Sequence, residues 1–288
     1  MSATLRGVLW MSGAVLCFCA MAVAARELLR HLGIFEILSF RTAVTFCLVL
    51  VVTLRTGIAT LRTRRIGVHL WRNLFHLGGQ ASWVYAIGAL PLAMVFAIEF
   101  TSPIWTALLA AFMLGERINR GRQVMLALGF AGVLVILRPG FAIVQPAALV
   151  MLAGALFYAV QMIGTKRLSD TESPMAVLFW MAVIQTPVCL VFALPDWVAP
   201  APRDWPWIAV IGVGSFAAHY CLTRAMKLAD ASVVVPVDFF RLPLIAVVGA
   251  AFYAEAFDPA VILGAALIIA GTWYSLSKEG STSSRGAA

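Results

Sequence analysis

The side chains able to do chemistry in this chain stand out because their surroundings are almost wholly apolar. Glu99 and Arg41 each lie about two helical turns inside an uncharged run, below the same end of it. They share a depth and are predicted to pair, as a gate or substrate anchor or as a static tie between helices. Asp238 and Arg241 are three residues apart, which puts them on one helical face. They either neutralise each other or present both charges to a zwitterion. His76, Gln80 and Trp83 follow i, i+4, i+7 spacing and form a polar-aromatic stripe. Ser215 and His219 share a face, as do Tyr158 and Gln161. Each stripe either lines a pore or hydrogen-bonds between helices. The chemistry on offer is recognition: charges for amino and carboxylate groups, amides and imidazoles for orientation, rings for stacking. The expected substrate-binding set is His76, Gln80, Trp83, Glu99, Tyr158, Gln161, His219, Asp238 and Arg241.

Bond-making chemistry finds less support. There is no Gly-x-x-x-x-Gly-Lys-Ser/Thr loop, so neither ATP consumption nor an ATPase partner is expected. No His-Glu-x-x-His pair occurs. His31 and Glu36 are five apart, with too few polar loop residues around them for a membrane acyltransferase. Cys17, Cys19, Cys47, Cys189 and Cys221 all fall in apolar runs, and their number is odd. They are expected as small buried residues, not as disulfides or metal ligands. No catalytic residue, metal or cofactor is expected.

The elements that must position these groups follow from composition. The chain is 62% hydrophobic and 12% charged, with charges clustered between long apolar stretches. About 20 apolar helical residues cross a bilayer. The alternating segments of a β-barrel are absent. An all-α integral membrane protein is predicted, with spans over 7–25, 34–54, 71–90, 93–114, 123–137, 147–165, 174–194, 205–226, 231–253 and 259–276. A Ser/Gly-rich tail, 278–288, is expected to be disordered. Pro103, Pro187, Pro236 and Pro243 fall inside spans, where each removes a backbone donor and can kink its helix.

The chain also repeats itself. Pro91–Ile136 is echoed by 231–271, and one offset superimposes Glu99 on Asp238, Glu116 on Glu255 and Gly132 on Gly271. Pro103 and Pro243 miss that register by one position. Arg6, an apolar run and Ala22-Val23-Ala24 look like a signal peptide. However, Gly13, Ala14 and Arg26 echo Gly154, Ala155 and Arg167 at one offset, so the first span reads as the partner of the sixth.

Lys and Arg fix the expected orientation. With the N-terminus inside, inner segments hold Arg6, Arg55, Arg62, Arg64, Arg65, Arg72, Arg117, Arg120, Arg122, Lys166, Arg167, Arg224, Lys227, Lys278 and Arg285. Outer segments hold only Arg26, Arg30, Arg138 and Arg203. The net charge of +8 therefore reads as a topology signal, with lipid as the partner and not nucleic acid. Both termini are expected in the cytoplasm. Five spans per half is odd, so the halves, 1–140 and 141–277, must be inverted, an architecture of secondary transporters.

Pro103 with Gly115-Glu116, the Gly132-Val-Leu-Val-Ile run and Arg138-Pro139-Gly140 resemble the drug/metabolite transporter superfamily in its ten-span EamA-type branch. Ala254 departs from the pattern by replacing the glycine before the acid, and Met125 stands where the second half has Gly264. The resemblance implies a carrier of small organic solutes. Length and aromatic content are most similar to the amino-acid exporters of bacterial inner membranes, including the YddG-type exporters of aromatic amino acids. The expected function is export of aromatic or large neutral amino acids or related metabolites by alternating access. A channel-like facilitator, an exporter of drugs or other metabolites and, more remotely, a membrane enzyme are the alternatives. Arg41, Pro103, Glu116, Pro243 and Glu255 are expected in structural or gating roles. The topology is tested by tags: those at Arg62 and Gly280 should be cytoplasmic and one at Arg203 periplasmic. Cysteine labelling that finds position 203 on the cytoplasmic side would refute it.

Overall fold

Apolar runs in hydrocarbon become helices because no water is available to satisfy their backbone groups. A computed structural model describes residues 3–57, 61–114, 118–138, 145–169, 171–229 and 231–285. The described residues form twelve α-helices and no strand. They are α1 (Ala3–Leu28), α2 (Ile34–Thr56), α3 (Ile66–Ala89), α4 (Leu92–Glu99), α5 (Ser102–Leu114) and α6 (Arg120–Leu137), then α7 (Pro146–Ser169), α8 (Pro174–Ala193), α9 (Trp205–Leu228), α10 (Ala231–Asp238), α11 (Arg241–Tyr253) and α12 (Pro259–Arg285). The expected gating residue Glu116 and the Pro139-Gly140 pair lie outside the described residues.

Two of the ten expected spans are broken. The fourth is α4 plus α5, and the ninth is α10 plus α11. At each break the backbone tightens to i→i−3 bonds, Thr101 N to Ile98 O (3.0 Å) and Phe240 N to Val237 O (3.2 Å). The prolines explain the positions. Pro103 cannot donate to the carbonyl of Glu99, nor Pro243 to that of Phe239. Both sit in the first turn of the next helix, where a missing N–H costs little. They therefore start α5 and α11, correcting the expectation of mid-span kinks there; Pro187 and Pro236 do lie inside helices.

Among the described residues, nine spans are long and apolar enough to cross a membrane. Helix α3 is not among these nine, because it carries His69, Arg72, Asn73, His76 and Gln80. At 24 residues it is about 36 Å long. It buries most of that polar side, with His69, Arg72, Asn73 and His76 all inside. Arg72, counted above with the loop cations, is thus an interior residue. Helix α12 stays helical to Arg285, past the Lys278 boundary of the expected disordered tail. Extending an existing helix costs less than nucleating one.

Packing joins the halves. Helix α1 lies along α9, α3 along α7, α2 along α8 and α6 along α12. The α6–α12 contact is the tightest in backbone terms. A Cβ on Gly132 would stand 2.5 Å from the Gly264 carbonyl oxygen, and one on Gly264 2.6 Å from that of Gly132. Small residues allow such an approach. Gly132→Ala should therefore destabilise the detergent-solubilised protein by about 1–3 kcal/mol. Gly67→Ala, where an added Cβ meets nothing within 4 Å, should leave the thermal midpoint nearly unchanged.

Candidate substrate cavity

The two breaks meet in the middle of the molecule. Phe100 and Phe239 follow Glu99 and Asp238 directly, and their rings pack edge to face at 5.3 Å. Arg241 opens α11 beside them. Its Nη1 donates to Glu99 Oε1 at 3.1 Å and its Nη2 to Asp238 Oδ2 at 2.6 Å. The guanidinium also lies over the rings of Phe18 (4.7 Å), Phe100 (5.0 Å) and Phe96 (5.6 Å). Trp83 Nε1 donates to the second oxygen of Glu99 at 2.9 Å. Asp238 Oδ1 has no partner.

This corrects two expectations. Glu99 pairs with Arg241 and not with Arg41, because shared depth does not fix the side of the helix that faces a partner. Arg41 instead meets Gln185 Oε1 (3.4 Å) and Ser215 Oγ (3.5 Å). Asp238 and Arg241 do pair, but across a helix break and not along one continuous helical face.

A cavity of about 590 Å³ opens from this cluster. All nine residues of the expected binding set line it, as do Arg41 and Pro103. Pro243 does not, and Glu255 lies at the far end of the molecule. Local packing explains the aim of several groups. Gly79 lies flat against Tyr158, and an added Cβ would come within 2.8 Å of its ring. Tyr158 therefore reaches across α3 to accept from Gln80 Nε2 at 2.9 Å. Gln161 donates to Thr165 at 2.7 Å, one turn along α7. The rings of His76 and His219 lie 6.3 Å apart. Arg122 and Lys166 mark the other limit of the cavity, near the ends of α6 and α7 that carry the expected inner cations, with Ser275 of α12 beside them.

The opposite end is tied together by polar contacts. Arg26 bridges to Glu255 at 3.1 Å and donates to Leu90 O at 2.6 Å. Glu255 Oε2 accepts the Leu92 N–H at 2.8 Å, and Tyr253 donates to Glu27 at 2.9 Å. Arg138 pairs with Asp258, which follows Glu255 by three residues. Sequence reasoning missed these contacts and the phenylalanine cage around Arg241. One ring of the cage had a signal: Phe100 is related to Phe239, its edge-to-face partner, by the repeat offset that relates Glu99 to Asp238. The Arg26–Glu255 contact had none.

Thermal unfolding of single and double variants distinguishes the two pairings. Glu99→Gln with Arg241→Gln should couple by about 1–3 kcal/mol. Glu99→Gln with Arg41→Gln should be additive within about 0.5 kcal/mol.

Comparison with known proteins agrees with this architecture. Residues 5–138 and 145–277 each match the model of the EamA-like transporter family. The S-adenosylmethionine uptake transporter of Rickettsia prowazekii is 27% identical over 275 residues, covering 96% of this chain and 94% of the relative. The riboflavin transporter of Rhizobium johnstonii is 32% identical over 78% of this chain and 75% of its own length. The pseudopaline exporter CntI of Pseudomonas aeruginosa is 29% identical over 91% and 93%. A crystal structure with 20% identity shares the fold at a TM-score of 0.65, covering 95% of both chains. The names of these relatives are those of transporters of small metabolites. Two family matches, together spanning nearly the whole chain, and a helical membrane architecture make this chain a member of the EamA-like transporter family.

Proposed function

We propose that the chain is an alternating-access carrier in the bacterial inner membrane for a metabolite that joins an amino-acid group to a ring. Aromatic amino acids are the small members of that class, and S-adenosylmethionine is a large one. The observation that carries this reading is the cluster at the helix breaks. Two carboxylates share one arginine, and Asp238 Oδ1 is left without a donor. The cluster has an excess of negative charge and is suited to an ammonium group. Trp83, Phe100, Tyr158 and Phe239 line the same space and offer faces for stacking. A neutral substrate such as riboflavin leaves the acidic excess unanswered. Nucleotide sugars call for clustered cations at the helix breaks, where acids are in excess.

Two features support a carrier over an open channel. The cavity reaches Arg122 and Lys166 and does not reach Arg26 or Glu255, which hold each other at the other end. The helix pairing, α1 with α9 and α3 with α7, is the exchange that a two-fold axis between 1–140 and 141–277 would produce. Under the orientation argued from Lys and Arg, the cavity faces the cytoplasm. That suits loading for export, though net direction follows the gradients applied.

Flux into proteoliposomes tests the reading. Labelled tryptophan and S-adenosylmethionine should both exceed empty-liposome controls, with riboflavin at background. Trp83→Ala should cut tryptophan flux by about tenfold while reducing threonine flux less. Riboflavin flux without flux of either amino-acid compound would overturn the proposal.

A further inference from the structure

Arg41 is a buried cation without an anion. It is 1% exposed, and its only side-chain partners among the described residues are the neutral oxygens of Gln185 and Ser215, both at long distance. Its Nε has none, and no carboxylate among the described residues lies within ion-pair reach. Arg72 is buried close by under similar terms. It donates to Asn73 Oδ1 at 2.7 Å and Thr165 Oγ1 at 2.9 Å, again neutral. Gln185 ties this layer together, since its Nε2 bonds Asn73 O (3.1 Å) and His76 Nδ1 (2.9 Å). Two cations thus occupy one buried layer, and among the described residues neither has a carboxylate within ion-pair reach. A cation taken out of water costs several kcal/mol unless an opposite charge compensates it. Inside a membrane protein, such a group marks a ligand path.

Arg41 lines the same cavity as Glu99, Asp238 and Arg241. Arg241 is not free to serve an anion, because each of its Nη atoms already holds a carboxylate. The cavity therefore has an acidic pole at the helix breaks and a separate basic pole on α2. We propose that Arg41 seats the carboxylate of the transported molecule while Glu99 and Asp238 take its ammonium group. This rests on the amino-acid reading given above. A guanidinium fork matches a carboxylate with two parallel hydrogen bonds, which fixes the direction of the ligand along the cavity. Arg72 is a positioning residue that holds the Asn73–Gln185 layer against which Arg41 lies.

Thermal shifts of the purified full-length protein test the assignment. The probes are tryptophan against tryptamine, and S-adenosylmethionine against its decarboxylated form. Wild type should bind the carboxylated member of each pair at least about tenfold more tightly. Arg41→Gln should abolish that preference and leave the decarboxylated members bound as before, with Arg41→Lys intermediate. Sodium acetate at fixed ionic strength should stabilise wild type and not Arg41→Gln. Equal binding of both members by wild type overturns the proposal even if the variants fail to fold. A preference that survives in Arg41→Gln overturns it too, since the carboxylate then sits elsewhere. Acetate stabilisation lost in Arg41→Gln, with all four organic probes silent, supports the anion seat and overturns the amino-acid reading. Silence of every probe, acetate included, overturns both.

Discussion

The interior of this protein depends on one guanidinium between two carboxylates. Arg241 lies where four helix ends converge: the C-terminal ends of α4 and α10 and the N-terminal ends of α5 and α11. Glu99 and Asp238 close α4 and α10, where the helix dipole disfavours an anion. The cation between them offsets both that effect and their mutual repulsion. The rings of Phe18, Phe96 and Phe100 lie against it. Broken backbone at membrane depth is tolerated where it is buried in protein or lines a cavity. The arginine cluster is thus the condition under which the helix breaks, and the cavity they border, can exist.

The membrane-embedded helical class was legible because apolar length alone decides it. The breaks were less so. Pro103 and Pro243 identify the right neighbourhoods, but a proline marks a kink and a helix start equally well until the bonds before it are seen. The contents of the cavity were legible for a related reason. Polar groups such as Gln80, His76 and Gln161 in apolar helices have to turn inward, and here they turn to one place. Partners were not legible. Arg41 and Glu99 lie at similar distances from their span ends, yet depth along a helix says nothing of azimuth, and Glu99 found its cation in the other half of the chain. Arg72 was misplaced because its neighbours in sequence are loop arginines, while its neighbours in space are Asn73 and Thr165.

The repeat-related acids Glu99 and Asp238 have similar surroundings but unequal bonding. Glu99 has a donor on each oxygen, Trp83 and Arg241. Asp238 has one on Oδ2 alone. The residue at the position equivalent to Arg241 is Ser102, an uncharged side chain that bonds the Glu99 carbonyl instead. That one difference gives the two helix breaks a single cation for two acids.

The shortness of α4 links the centre to the Arg26–Glu255 end. It has eight residues and is about 12 Å long, too short to bend appreciably. Its first N–H, that of Leu92, is held by Glu255, a carboxylate at a helix N-terminus where the dipole favours it. Its last residue, Glu99, is held by Arg241 and Trp83. The same Glu255 binds Arg26, which in turn holds the Leu90 carbonyl just before the helix. A rod fixed at both ends cannot shift at one without loading the other, because packed interiors move between discrete arrangements and do not stretch. Helix α4 thus joins the Glu99 cluster to the Arg26–Glu255 contacts, one helix length away.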